Sequence, residues 1–158
     1  MKMSEHGQQL LMQWEGFKPK VYTDSAGLDT IGVGHLLTPQ ERSSGAIDIG
    51  GASVAYASGL SQQQVCDLLA QDLTRYETAV QDKVGNGLEQ NQFDALVSFC
   101  FNVGIGAFGN STVLKCINAG SLADVPDELR RWTTAGGKVV QGLANRRENE
   151  VKLWMGVL

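Results

Sequence analysis

Two carboxyl groups and a hydroxyl lie close together in one short stretch of this chain: Glu15, Asp24 and Thr30. They fall in the string Glu15-Gly-Phe-Lys-Pro-Lys-Val-Tyr22-Thr-Asp24-Ser-Ala-Gly27-Leu-Asp-Thr30-Ile-Gly32-Val-Gly34-His35. A carboxyl pair is what hydrolysis of a glycosidic bond requires. One member protonates the leaving oxygen, and the other activates water or attacks the sugar. Glu15 has Trp14 and Phe17 beside it, and partial desolvation there would favour the protonated acid. Asp24 lies between Thr23 and Ser25, a polar setting that keeps a carboxylate ionised. Thr30 can hydrogen-bond a water and hold it for attack. As spacing alone, in a chain with 17 acidic residues, this pair is also the pattern of a solvated surface.

Other chemistries find less support. The three cysteines, Cys66, Cys100 and Cys116, form no C-x-x-C pair and are odd in number. Each sits in an apolar helical pattern, which predicts buried free thiols. A nucleophilic cysteine would need a histidine partner, and only His6 and His35 exist. Gly32-Val-Gly34 is a strand bend or an isolated G-x-G. No G-x-G-x-x-G follows a strand, no phosphate-loop lysine appears, and no His/Cys/Asp cluster has metal-ligand spacing. Neither a metal nor a cofactor is expected. His35 has two possible uses, as a catalytic base or as a buried structural partner.

The elements that must position these residues can be read in part. Ser4 caps a short helix with Leu10, Leu11 and Trp14 on its apolar face, and Gly16 supplies a left-handed stop. Val21-Tyr22 and then Ile31 and Val33 are short β-type runs around Ser25-Ala26-Gly27, which predicts a hairpin. One carboxyl then ends a helix, the second sits at the hairpin bend, and the hydroxyl follows on the returning strand. Residues 36 to 60 are the least readable, although Ile47, Ile49, Val54 and Tyr56 allow another strand. From Ser61 the signal is clear. Ser61-Gln62-Gln63-Gln64 is a capping-box pattern, and Val65, Leu68, Leu69, Leu73, Tyr76 and Val80 form one helical stripe. Such a helix of about 20 residues spans about 30 Å, enough to tie two lobes together. Further helices fit Glu89–Asn102, Ser111–Asn118, Ala123–Thr133 and Leu143–Met155. The fold class is α+β.

The chain has 158 residues, 42% hydrophobic and 19% charged, with a net charge of −4. That length implies one compact domain that folds without a metal or disulfide staple. The acidic balance argues against indiscriminate binding to nucleic acid or to an anionic membrane. No apolar stretch of signal-peptide length opens the chain, and no run approaches the roughly 18 apolar residues of a membrane span. A cytoplasmic protein without membrane insertion is expected.

The whole string from Glu15 to His35 meets every specified position of E-G-x5-Y-x-D-x2-G-x2-T-x-G-x-G-H. It resembles the phage-type, T-even-like lysozyme and endolysin family. Leu60–Leu73 is similar to that family's linking helix, and Gln92–Gly104 to its central core helix. Arg131-Trp132 with Gly142-Leu-Ala-Asn-Arg146-Arg147 is similar to its C-terminal signature. Residues 36–59 do not align. The resemblance implies a single lysozyme domain over 1–158. Residues 1–15 would be an N-terminal helix packing with the C-terminal lobe. Residues 16–60 would form a small β-containing lobe, 61–83 a linking helix, and 84–158 an all-helical lobe.

On the same basis Glu15 is the proton-donating acid, Asp24 the second carboxylate and Thr30 the water-positioning residue. The implied reaction is hydrolysis of the β-1,4 bond between N-acetylmuramic acid and N-acetylglucosamine in peptidoglycan, by single displacement with inversion. Tyr22, Leu36, Phe101, Asn102, Phe108 and Ser111 match positions lining the sugar-binding cleft. For Phe101 and Phe108 plain core packing is an equal reading. His35 is implied to be structural, beside an acidic residue of the linking helix, Asp72, and Arg146 to reach the catalytic glutamate. The implied partner is the peptidoglycan glycan strand, acted on by a monomer that needs a holin-made lesion to reach the wall. A lytic transglycosylase would leave 1,6-anhydro products and need no water-activating carboxylate. A non-catalytic wall-binding module or a toxin-like effector would keep the fold for another purpose.

The charge is unevenly spread. Residues 130–158 hold six basic side chains, Arg130, Arg131, Lys138, Arg146, Arg147 and Lys152, against two acidic ones. Linear sequence therefore predicts a positive patch on an acidic protein.

Overall fold

The computed structural model describes all residues from Met1 to Leu158. Helix α1 covers Glu5–Glu15 and is followed by strands β1 (Lys18–Thr23), β2 (Asp29–Gly32) and β3 (His35–Leu36). Helix α2 (Pro39–Ser44) leads to the hairpin β4 (Ala46–Ile49) and β5 (Ala52–Ala55), and then to the long α3 (Gln62–Lys83). Helices α4 (Gln90–Val103), α5 (Ile105–Gly109), α6 (Thr112–Asn118) and α7 (Val125–Arg130) follow. A small hairpin, β6 (Thr134–Ala135) and β7 (Lys138–Val139), precedes α8 (Gln141–Trp154). The class is α+β, a small strand-containing lobe and a helical lobe. Two compact units divide within α1 and within α3: Gln8–Thr74, and Met1–Gly7 together with Arg75–Leu158.

In the unit Gln8–Thr74, β1, β2 and β3 form an antiparallel sheet in that order. Tyr22 stands opposite Thr30, and Thr30 in turn opposite Leu36. The core of this unit comes from Ile31, Val33, Leu37, Ile47 and Ile49, against Val65, Leu68, Leu69 and Leu73 of α3. In β4 the two isoleucines alternate with outward residues, the period of a strand with one face buried. Gln71 of α3 holds the β4–β5 turn, donating to the Asp48 carbonyl at 2.9 Å and accepting from the Gly50 N–H at 3.3 Å. The unreadable stretch thus contains α2 and a regular hairpin. Its start had a legible signal. Thr38-Pro39-Gln40-Glu41 is a capping box with proline in the first turn, and both reciprocal hydrogen bonds form.

In the other unit α4 is apolar nearly all round, with Phe93, Ala95, Leu96, Val97, Phe99 and Cys100 buried, as suits a helix at the centre of a bundle. Its main neighbour is α8, and there the packing is charged. Glu150 is fully buried, with the Arg146 Nε at 2.9 Å and the Arg147 Nε at 3.2 Å. Ser98 of α4 donates its hydroxyl to Glu150 at 2.8 Å. Burial pushes the Glu150 carboxyl up, and the Arg147 and Arg146 guanidiniums and the Ser98 hydroxyl oppose that rise. The expected all-helical lobe is interrupted by β6–β7, whose turn is Gly136-Gly137, a pair suited to a two-residue hairpin loop. The helix expected over 123–133 is shorter. A 3-10 turn at Leu122–Asp124 precedes α7, and Pro126 sits in the first turn of α7.

The cysteines are all free, but only Cys100 is buried; Cys66 and Cys116 are half-buried, a correction to the expected three buried thiols. Burial pushes the Cys100 thiol up to about 12, against the pull of Lys83, so it is held as an inert thiol.

The first residues belong with α3 and α4. The Met3 N–H donates to Glu77 at 2.8 Å, and Lys2 pairs with the other Glu77 oxygen at 3.0 Å. Ser4 gives its N–H and hydroxyl to Asp94 and accepts from the Gly7 N–H at 3.0 Å, which makes it the cap expected of it. Gly7 passes so near Asp94 that an added Cβ would lie 2.8 Å from its carboxyl carbon. Replacing glycine by alanine in an exposed helix stabilises by about 1 kcal/mol. Here the sign should reverse: Gly7→Ala is expected to destabilise by roughly 1–3 kcal/mol, read by urea unfolding. An unchanged or raised midpoint would mean Asp94 can step aside.

Candidate functional site

Glu15 is the last residue of α1. The helix stops there because Gly16 takes φ 85°, a left-handed conformation closed to most side chains, while its N–H still reaches the Met12 carbonyl at 2.9 Å. The chain turns straight into β1 and leaves the Glu15 side chain half-buried.

Asp24 organises the turn between β1 and β2. Its Oδ1 accepts from the Ala26 N–H at 2.9 Å and the Leu28 N–H at 2.8 Å. The backbone closes the same loop, Asp24 N–H to Leu28 carbonyl at 2.9 Å and Gly27 N–H to Asp24 carbonyl at 3.0 Å. These bonds from N–H groups to one oxygen fix the plane of the carboxyl and leave Oδ2 free of the turn bonds. Thr30 is buried and donates its hydroxyl to the Leu28 carbonyl at 3.0 Å. With that proton committed, Oγ1 still has lone pairs to accept a hydrogen from water. Leu28 therefore touches both groups, its N–H on Asp24 and its carbonyl on Thr30.

Tyr22, directly across from Thr30, reports on the surroundings. Its phenol is raised above the ordinary value by burial, then by the charge of Asp24 and then by that of Glu15. Both carboxyls therefore act on one phenol. The Lys18 ammonium lies 4.9 Å from the Tyr22 ring centroid. The structure thus gathers Glu15, Tyr22, Asp24 and Thr30 within one unit. Leu36, the other strand partner of Thr30, is half-exposed.

His35 sits between two acids. Its Nδ1 is 2.8 Å from Asp72 of α3 and its Nε2 is 3.1 Å from Glu41 of α2. Burial lowers its basicity, but the Asp72 hydrogen bond and charge, followed by those of Glu41, outweigh it, and the pKa is raised. Both ring nitrogens are occupied by carboxylates. Glu41 was missed from sequence, although the capping box it belongs to is a legible signal.

The remaining residues lie in the other unit. Phe101 is half-buried and meets Tyr76 edge-on at 5.2 Å. Asn102 is exposed, and its Oδ1 accepts from Arg147. Phe108 has no exposed surface and packs edge-on to Phe99 at 6.3 Å, so of its two readings the structure places it in the core. Ser111 is buried; its hydroxyl donates to the Phe108 carbonyl at 2.7 Å and caps α6 by accepting from the Leu114 N–H. Neither side chain presents a surface to a ligand, which corrects their placement among cleft-lining residues. Arg146 is held by Glu150 and by the Ser98 carbonyl at 3.2 Å.

The positive patch expected near the C-terminus is largely cancelled. Arg130 pairs with Glu148 at 2.7 Å and with Asp127 at 3.0 Å, Arg131 reaches Glu128 at 3.6 Å, and Arg146 and Arg147 are buried around Glu150. A count along the chain missed Asp127 and Glu128, which lie just outside the counted segment. No helix is long and apolar enough to cross a membrane.

A family model described as phage lysozyme matches residues 12–150. An endolysin of Bacillus phage PZA is 36% identical over 98% of this chain and 55% of its own length, so the chain spans about half of that relative. An endolysin of Salmonella phage P22 is 37% identical over 98% of this chain and 99% of its own. A crystal structure of a P22 lysozyme mutant has 36% identity, covers 98% of this chain and 99% of its own, and superposes with a TM-score of 0.83.

The His35 geometry predicts a pH signature. A histidine raised in the folded state contributes stability that is fully present below its unfolded value, about 6.5, and fades as pH rises through the folded one. The stability gap between wild type and His35→Asn in urea unfolding should be widest in acid and narrow with rising pH. A gap that is constant or widens with pH would sink this account.

Proposed function

The chain belongs to the phage lysozyme family, glycoside hydrolase family 24, and from that membership we propose that it is an endolysin acting as a muramidase. The substrate is the peptidoglycan glycan strand, cut at the β-1,4 bond between N-acetylmuramic acid and N-acetylglucosamine. The observation that supports this best is the combined effect of Glu15 and Asp24 on Tyr22, beside a threonine whose hydroxyl proton is already committed.

Glu15 gives its proton to the glycosidic oxygen as the bond from that oxygen to the anomeric carbon breaks. A water donates one hydrogen to Asp24 Oδ2 and the other to Thr30 Oγ1. One of the two lone pairs on its oxygen is then directed at the anomeric carbon, from the face opposite the leaving sugar. The new carbon–oxygen bond forms as Asp24 takes the water proton, and the product is a reducing sugar of inverted configuration. Proton exchange with solvent restores both carboxyls. The turn bonds to Asp24 Oδ1 and the Thr30–Leu28 bond are in place before substrate arrives, so the water is oriented without rearrangement.

Residues 1–158 act as one lysozyme domain and as a monomer, with Glu15, Asp24 and Thr30 supplying the chemistry. It is made in the host cytoplasm and reaches the wall after a holin opens the membrane. Tyr22 and Leu36 border the catalytic group as sugar contacts, with Phe101 and Asn102 as further ones. His35 with Asp72 and Glu41 braces the strand that holds Thr30, and Arg146 is a supporting cation.

Glu15→Gln should lower the rate of turbidity loss of chloroform-treated Gram-negative cells by roughly 10²–10⁴-fold, the usual worth of a general acid. Full activity in that variant would refute the assignment. Mass spectrometry of digested peptidoglycan should show reducing muramic ends, and 1,6-anhydro ends would indicate a transglycosylase instead.

A further inference from the structure

We infer that Arg147 is a positioning residue for substrate recognition. It locks the side-chain amide of Asn102 so that a surface cavity presents N–H donors to an acceptor group of the wall polymer. This rests on the muramidase reading and extends it to a residue with no exposed surface of its own.

The cavity has a volume of about 350 Å³ and lies wholly within the unit that contains α4 and α8. Asn102, Arg131, Trp132 and Thr134 line it, with Val103 and Leu143. Asn102 is the residue whose orientation decides what the cavity recognises, because an amide turned one way offers a carbonyl and turned the other way offers two N–H groups. Arg147 removes the choice. A guanidinium has only donors, so the group it meets must be Oδ1, and Arg147 Nη2 donates there. The Asn102 NH2 is then the end left to face a ligand. Arg131 lines the same wall, its side chain mostly exposed and its guanidinium 3.6 Å from Glu128, so it adds N–H donors there. Such a lining suits a carbonyl or carboxylate oxygen, with the Trp132 face for the apolar part of the ligand.

Arg147 is itself rigid. It is fully buried, its Nε is 3.2 Å from Glu150, and its guanidinium lies 5.1 Å over the Phe99 ring. Phe99 meets Trp132 edge-on at 5.3 Å, so the arginine that orients Asn102 also stands behind the indole. A side chain that no ligand touches thus fixes two walls of the cavity.

The test uses the full chain and soluble glycan fragments, with and without stem peptides. Asn102→Asp keeps the shape and the Arg147 contact but turns the outward donor into an acceptor. Arg147→Lys keeps the charge beside Glu150 and loses the planar fork. Both should raise KM about fivefold to tenfold with kcat held within about twofold, as expected for loss of one oriented hydrogen bond. In ¹⁵N spectra the Asn102 amide pair should be a sharp, split doublet that shifts on adding fragment, and should broaden in Arg147→Lys. If the KM change needs the stem peptide, the acceptor lies on the peptide; if it does not, it lies on an N-acetyl group or hydroxyl. Unchanged KM in Asn102→Asp overturns the proposal. A raised KM there with unchanged KM in Arg147→Lys overturns the role of Arg147. Binding to a Glu15→Gln background keeps this readout separate from the catalytic reading, since only the latter fails if that variant still cleaves.

Discussion

A carboxylate with no access to water must be neutralised where it stands, and Glu150 imposes that demand on the helical unit. Its position three and four residues after two arginines lets one turn of α8 supply both cations. Ser98 ties the same group to α4, so the charged cluster sets how two helices meet. Arg147 then reaches outward to Phe99 and Asn102, and through Phe99 to Trp132 and Phe108. An apolar seam of the same size would hold these helices with equal or greater strength.

The strand-containing unit achieves precision by other means. Its candidate site depends on backbone hydrogen bonds in one short turn, with Leu28 serving as donor to Asp24 and as partner to Thr30. The side chain at Leu28 points to solvent, so its importance lies entirely in its peptide groups. What must persist is the turn geometry and the register that sets Tyr22 opposite Thr30.

Local signals were legible where one element decides the outcome. The helix stop at Gly16, the Ser4 cap and the long stripe from Val65 to Val80 follow from spacing alone, and each is present. The region from residue 36 to 60 was hard to read because glycines and serines surround its hairpin, although the strand allowed by Ile47, Ile49 and Val54 is present as β4 and β5. The positive patch failed for a related reason, since charge summed along a segment ignores acids that folding brings alongside it. Arg146 and Arg147 read as surface cations because nothing in one dimension marks Glu150 as buried. Phe108 and Ser111 match a lining pattern by position, yet one fills the core and the other caps a helix. Position within a motif does not fix which way a side chain points.

The grouping of Met1–Gly7 with Arg75–Leu158 has a consequence for how the chain is made. Ribosomes deliver residues in order, and domains tend to fold as they emerge. Residues 8–74 can gather their own core while the rest is still being synthesised. Residues 1–7 cannot finish folding then, because the acids that receive them, Glu77 and Asp94, both lie beyond residue 74. Residues 1–7 therefore complete these contacts only after α4 has been synthesised. Contacts that close loops of 74 to 90 residues are then made late and in one step. Until that closure the nascent chain has a folded segment and an unfinished one, and completion of the second depends on residues made before the first.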